Sequence, residues 1–154
     1  MKYFKFELIE NDAQWAKNDA EYSKAFESIK SLLAKDFLEI YLAEYGFHDR
    51  EINKMIMTDP STLTVELLKR DKSFIRLEYK GVSDLKFSSI NEIRKERQIG
   101  NLLEWGYDEF SKNGERLTHS VLTSCGLEFE LSFESISAIY ADIELEVEGT
   151  AIYL

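Results

Sequence analysis

Two histidines are the residues of this chain best suited to acid–base or metal chemistry. His48 stands directly before Asp49, and His119 lies in the second half of the chain. Imidazole and carboxylate groups bind divalent metals, so His48, Asp49 and His119 with a glutamate could form a metal site and support a metal-dependent hydrolase. In the alternative interpretation, His48 and Asp49 hydrogen-bond the end of a helix to the first strand, and His119 is an ordinary strand residue.

Other catalytic motifs are missing from the sequence. No serine near His119 stands in a Gly-x-Ser-x-Gly turn between a strand and a helix. Cys125 is too far from His119 along one strand to touch it unless the chain reverses, and the glycines occur singly and form no phosphate-binding loop. We therefore expect no cofactor and favour a protein that is not an enzyme. The single cysteine cannot form an internal disulfide and suits the reducing cytoplasm.

The charge of the chain is strongly acidic and unevenly distributed. The formal net charge is -10, which argues against nucleic acid and anionic membranes as partners. The segment 117–154 holds seven acidic residues and no lysine or arginine. This charge could simply keep the protein soluble, or it could form a docking face for a basic protein. The carboxylates expected in such a face are those of Glu128, Glu130, Glu144 and Glu146.

The first third of the chain has the pattern of an amphipathic helix. Apolar residues recur at spacings of three, four or seven between Trp15 and Ile40. We expect a break near Asn18-Asp19, where Asp19 could cap a second segment. Gly46 is expected to end the helix in a left-handed conformation. Before the helix, the alternation from Tyr3 to Ile9 predicts a strand or an extended arm that pairs with the sheet.

The rest of the chain predicts strands joined by short turns. The clearest alternation runs from Leu127 to Phe133, and a similar pattern recurs from Ile143 to Val147. The segment Ile90 to Gln98 could form one or two helical turns or a polar loop. We predict one α+β domain over residues 1–154, in which a long N-terminal helix packs on a mainly antiparallel sheet of about seven strands.

Aromatic residues in the predicted strands leave one further alternative. Trp105, Tyr107 and Phe133 could line a cavity for a small apolar ligand between helix and sheet, or they could fill the core. No segment has the apolar length of a signal peptide core or a membrane span, so we expect a cytoplasmic protein outside the membrane.

Three sequence features carry a resemblance to known proteins. The chain starts with Met1-Lys2-Tyr3-Phe4, and the helical third ends in Tyr45-Gly46-Phe47-His48-Asp49-Arg50-Glu51-Ile52. A later Leu117-Thr118-His119-Ser120 strand precedes Gly126-Leu127-Glu128-Phe129. This layout resembles small uncharacterised bacterial proteins with a Phe/Leu-His-Asp-x-x-Ile signature, which are similar in style to acidic immunity proteins of toxin systems. The resemblance implies a bacterial protein without assigned catalysis. We therefore expect a non-catalytic, acidic interaction protein, an immunity-type inhibitor of a basic toxin or nuclease, as a monomer or homodimer.

Overall fold

Helices occupy the first part of the chain and strands the second. The computed structural model describes residues 1–8, 11–89, 103–144, 146 and 149–151. Helix α1 spans Asp12–Ile29 and helix α2 spans Lys35–Ala43, with 3-10 turns at Phe6–Leu8, Lys30–Leu32 and Tyr45–Phe47. The strands of these ranges belong to one antiparallel sheet, so the predicted α+β class is confirmed. No helix in the described part of the chain is long and apolar enough to cross a bilayer.

The helical region breaks at a different place from the one predicted. Helix α1 continues through Asn18 and Asp19, and its first turn is capped by Asn11, whose side chain accepts a hydrogen bond from the backbone N–H of Gln14 at 3.1 Å. The break instead lies at Leu33, which takes an extended conformation and is buried. The extended backbone of this leucine separates the 3-10 turn Lys30–Leu32 from the start of α2.

The N-terminal segment is not a strand in the described residues 1–8. Its backbone N–H groups at Lys2, Tyr3 and Phe4 donate to the carboxylate of Glu109 at 2.8, 2.5 and 2.6 Å. A buried side chain of the sheet therefore takes the place of the backbone partner that we predicted. Ile9, the end of the predicted arm, lies outside the described residues.

Within the described residues the sheet contains nine strands, of which eight follow one another in the order β4-β7-β6-β5-β1-β2-β3-β8. The short strand β9 pairs with β1. The strands are β1 (Arg50–Asp59), β2 (Thr62–Leu68), β3 (Phe74–Lys80), β4 (Ser83–Ser89), β5 (Glu104–Asn113), β6 (Arg116–Thr123), β7 (Leu127–Phe133), β8 (Ser135–Ala141) and β9 (Thr150–Ala151).

The sheet differs from the prediction mainly near the C-terminus. Strand β8 was not predicted, because Ile139 and Tyr140 are exposed on an edge that gives no clear alternation. Ile143, the first residue of the strand predicted there, lies outside any strand. Leu145 and Val147 of that strand, like the segment Ile90 to Gln98, fall outside the described residues.

The two ends of the strand order meet at a corner. Strand β3 continues into β4 through Gly81 and Val82, and β7 continues into β8 through Glu134. Lys80 is paired with Ser135, and Ser83 with Ser132, so one bent two-stranded ribbon joins both ends of the sheet. The sheet therefore folds over, and a single inner face receives most of the buried side chains.

Aromatic side chains of the helical region fill this inner face. Phe37 of α2 contacts the Phe110 ring at 5.7 Å, and Phe47 contacts the Trp105 ring at 5.8 Å between centroids. His119 belongs to the same face, because it is paired with Phe110 on one side and with Leu131 on the other. The helices and the sheet thus enclose a core that includes the polar side chain of His119.

Candidate functional site

An open pocket lies beside β5, beyond the start of β1. In the described residues the two antiparallel strands pair at their first residues, Arg50 with Trp105 and Glu51 with Glu104. Strand β5 continues past the start of β1, and there the hydroxyl of Tyr22 in α1 accepts a hydrogen bond from the backbone N–H of Phe110 at 2.7 Å. The opening has a volume of about 920 Å³. Its aromatic lining consists of Phe4, Tyr22, Tyr41, Tyr45 and Tyr107.

The turn Tyr45–Asp49 forms one wall of this pocket and has an unusual backbone. Four of its residues have positive φ angles, namely Tyr45 (53°), Gly46 (68°), Phe47 (62°) and Asp49 (62°). Such angles are uncommon for residues other than glycine and persist only where the surroundings hold them. Gly46 takes the left-handed conformation that we predicted.

Contacts on both sides hold the turn in place. Phe47 is fully buried, and the backbone N–H of Asp49 donates to the carbonyl of Trp105 at 2.9 Å. The His48 ring lies edge-on to Tyr107 with 4.9 Å between centroids, and its Nδ1 is 3.0 Å from Asp49 Oδ1. The side chain of Tyr45, by contrast, is 87% exposed.

A chain of buried polar groups lies behind the floor of the pocket. Tyr41 donates a hydrogen bond to Asp108 Oδ1 at 2.9 Å, and Asp108 Oδ2 is 2.7 Å from His119 Nε2. His119 Nδ1 is in turn 2.9 Å from the hydroxyl of Tyr79. Burial, reinforced by the charge of Asp108, raises the pKa of Tyr41 well above its ordinary value, so this phenol remains a donor.

The structure does not bring the predicted metal ligands together in one set. His119 is fully buried and both of its ring nitrogens have hydrogen-bond partners, whereas His48 lies at the surface of the pocket. Within residues 1–8, 11–89, 103–144, 146 and 149–151, no group of three or more His, Cys, Asp or Glu side chains could hold a metal ion. The hydrolase alternative therefore has no ligand set in these ranges.

The four predicted docking glutamates differ in their surroundings. Glu128 Oε1 is 2.5 Å from the amino group of Met1, and Glu130 accepts a hydrogen bond from Ser120 at 2.8 Å. Glu144 is 2.5 Å from Lys54 Nζ, and Glu146 is exposed. Three of the four thus have a partner within the chain, which weakens the attraction that they can offer to another protein.

Glu44 forms ion pairs with two basic residues that line the pocket, Arg50 and Lys69. Its carboxylate contacts Arg50 at 2.7 Å and Lys69 at 3.3 Å, and it accepts a hydrogen bond from Tyr140 at 3.1 Å. Burial raises the pKa of Glu44, but the hydrogen bonds from these three side chains outweigh it and hold the pKa below its ordinary value. The end of α2 is thereby joined to β1, to the turn after β2 and to β8.

Most residues of the pocket were missed by sequence reasoning. One signal was available for Asp108: the turn at Asn113-Gly114 makes β5 and β6 a hairpin, whose register pairs Phe110 with His119. Asp108 is two residues from Phe110, so it lies on the same face as His119 and diagonal to it. Of the aromatics that could line a ligand cavity, Trp105 and Phe133 are fully buried, and only Tyr107 lines the pocket.

Comparison with known proteins does not assign this chain to a family. No protein-family model matches the sequence, and no curated protein matches it. Among solved structures, the chain is similar to an uncharacterized protein from Neisseria gonorrhoeae, with 15% sequence identity and a TM-score of 0.45 over 60% of this chain and 91% of that chain. The likeness to immunity-type bacterial proteins stays a prediction.

Proposed function

We propose that this chain is a non-catalytic interaction protein that binds a basic protein. The observation that carries the proposal is the exposed Tyr45, held on a left-handed turn at the mouth of an aromatic pocket. Strained backbone is concentrated at binding and catalytic sites, and tyrosine is among the residues that contribute most to protein interfaces.

The anchoring of the turn favours binding by a preformed surface. Phe47 fixes it to the core and Asp49 fixes it to β5. A tyrosine that is already held in position loses little conformational freedom when a partner covers it, so more of the contact energy contributes to affinity. Leu42, which is 63% exposed and lines the same pocket, extends the apolar area.

The charge of the chain supports a basic partner. A net charge of -10 attracts a cationic protein over distances comparable to the Debye length and accelerates the encounter. Because the sequence resembles acidic immunity proteins, we assign the partner to the class of toxins or nucleases with a basic surface. Both ring nitrogens of His119 have hydrogen-bond partners within the chain, which supports a structural role for this residue.

Binding measurements with the products of neighbouring genes test this proposal. We expect a basic product to bind, and its affinity to fall between roughly 0.1 M and 1 M salt, where the Debye length shortens from about 10 Å to about 3 Å. Tyr45→Ala should weaken binding about tenfold or more. The matched control is Phe87→Ala, which truncates another exposed aromatic side chain, on β4.

Three results would contradict the proposal. The first is that no basic product binds, and the second is that binding is insensitive to salt. The third is that Tyr45→Ala and Phe87→Ala reduce affinity equally, since the turn would then contribute no more than any exposed ring.

A further inference from the structure

We infer that the pocket beside the Tyr45–Asp49 turn binds one lysine or arginine side chain of the partner protein, between the Tyr107 ring and the carboxylates of Asp19 and Asp49. The inference rests on the proposed function, because it names the group that a basic partner would insert. Aromatic rings, carboxylates and open volume occur together at this place.

Aromatic rings form a continuous wall on one side of the pocket. The Phe4 ring is stacked on Tyr107 with 5.5 Å between centroids, and Phe4 meets the edge of Tyr22 at 5.3 Å. The faces of such rings attract cations, and the attraction grows when water is excluded. Phe4 is 5% exposed, so the ring within reach of a guanidinium or ammonium group is the partly exposed Tyr107, which also contacts Trp15 at 4.5 Å and His48 at 4.9 Å between centroids.

Carboxylates from three separate elements surround the same wall. Asp19 belongs to α1, Asp49 to the turn and Asp108 to β5, and all three line the pocket. Partial burial together with the charges of Asp49 and Asp19 raises the pKa of Tyr107, which places both carboxylates near this phenol. Asp49 is 56% exposed and so remains accessible to a ligand.

The floor carboxylate is held in a fixed position. Asp108 is 7% exposed, and its two oxygens are oriented by Tyr41 and His119. Each carboxylate oxygen can accept more than one hydrogen bond, so Asp108 keeps acceptor capacity toward the pocket. A preorganised anion of this kind favours a cation over a neutral side chain of the same size.

The pocket lining also contains three basic residues, Arg50, Lys69 and Arg70, against four aspartates, so carboxylates are in excess. Arg50 and Lys69 both contact Glu44, which offsets part of their charge, and Lys69 also lies 4.7 Å from the centroid of the Tyr140 ring. A lysine or arginine side chain fits readily into about 920 Å³.

The first test uses small probes and needs no partner protein. N-acetyl-arginine amide and N-acetyl-lysine amide are titrated into the isotopically labelled protein, with N-acetyl-glutamine amide as the neutral control, and backbone amide signals are followed by NMR. We expect saturable shifts at Asp19, Asp49, Gly106 and Tyr107 with the cationic probes. Equal shifts with the glutamine probe, or no saturable shifts at these residues, would overturn the inference, and comparison of the two cationic probes decides between arginine and lysine.

The second test uses variants with matched controls. Asp49→Asn removes one charge and keeps a residue that tolerates positive φ, and Asp142→Asn makes the same change at an exposed position outside the pocket lining. We expect Asp49→Asn and Tyr107→Leu each to weaken binding of the cationic probes about three- to tenfold, while Asp142→Asn and Phe87→Leu, which truncates an exposed ring outside the pocket lining, stay close to wild type. Unchanged binding by Asp49→Asn and Tyr107→Leu would refute the assignment.

The two proposals can fail separately. If a basic partner binds but Asp49→Asn and Tyr107→Leu bind it as tightly as the wild type, the pocket assignment is wrong and the proposed function stands. If the arginine or lysine probe binds at Tyr107 but no basic partner binds, the proposed function is wrong and the pocket assignment stands.

Discussion

Asp108 and His119 are buried polar residues, and their hydrogen bonds offset the free-energy cost of removing them from water. With Tyr79 donating to Nδ1 and the Nε2–H of His119 donating to Asp108, a neutral imidazole satisfies both neighbours; this tautomer is assigned from the partners. Tyr41 supplies a further donor to Asp108. Loss of any one member leaves a polar atom in the core without its partner, which costs more than the loss of an exposed hydrogen bond.

Tyr41→Phe tests this network at the level of one hydroxyl. We expect the free energy of unfolding to fall by about 1–3 kcal/mol, because the carboxylate of Asp108 loses a hydrogen bond in a buried site. The control is Tyr45→Phe, which removes the same atom from an exposed ring and should change stability by less than about 0.5 kcal/mol. Chemical denaturation of both variants measures the difference, and equal effects would contradict the role assigned to the network.

The start of α2 offers a prediction at the scale of one element. Ala34 occupies the N-cap position with an extended backbone, and its side chain cannot accept a hydrogen bond from the first turn. Ala34→Ser should therefore raise the free energy of unfolding by about 0.5–1 kcal/mol. Ala20→Ser, at an exposed position inside α1, should instead lower it by about 0.5 kcal/mol. Thermal denaturation of both variants measures these changes. An Ala34→Ser variant that is no more stable than the wild type would contradict the N-cap explanation.

The contacts of Glu44 predict how the attachment of α2 responds to pH. Its pKa lies below the ordinary value of 4.5, so its contribution to stability is present above that value and is lost as pH falls through the folded pKa. We expect Glu44→Gln to be less stable than the wild type at pH 7 and the difference to shrink in acid. Urea denaturation between about pH 7 and pH 3 measures both, and a difference that stays constant with pH would contradict the ion-pair explanation.

Element by element, the sequence was informative where burial follows a regular period. Strand β7 alternates strictly between Leu127 and Phe133, and the same residues are buried and partly exposed in turn. Strand β8 lies at the end of the strand order, where exposed Ile139 and Tyr140 remove the pattern. The helix break was misplaced because it depends on burial of Leu33 against residues distant in sequence, and no local pattern contains that contact.

The candidate site could not be predicted because it exists only at the scale of the whole molecule. Asp19, Asp49 and Tyr107 belong to different elements, and the sequence gives no sign that they share one opening. His48 and Asp49 were predicted as candidate metal ligands or as a link between helix and strand, but the aromatic residues near them come from the part of β5 that continues past the start of β1. The pocket forms between segments that are distant in the sequence and are brought together by strand pairing and helix packing.

The corner at Gly81 and Glu134 predicts cooperative unfolding of the described fold. Since one bent ribbon joins both ends of the strand order, neither half of the sheet can open without breaking pairs in the other. We expect denaturation followed by tryptophan fluorescence, which reports Trp15 on α1 and Trp105 on β5, to coincide with loss of far-ultraviolet circular dichroism. Two separate transitions would contradict a single cooperative unit.

Three phenols held inside the protein have a consequence in alkali. Burial is the main cause that raises the pKa of Tyr22, Tyr41 and Tyr79 above the usual 10.0, and the charge of Asp108 adds to it. Above that pH the unfolded chain releases these protons, which lowers its free energy, whereas the native form retains them. The free energy of unfolding therefore decreases as the solution becomes more basic. Phenolate absorbance from these rings would appear only as the molecule opens, which gives the protein a built-in optical signal of its own unfolding.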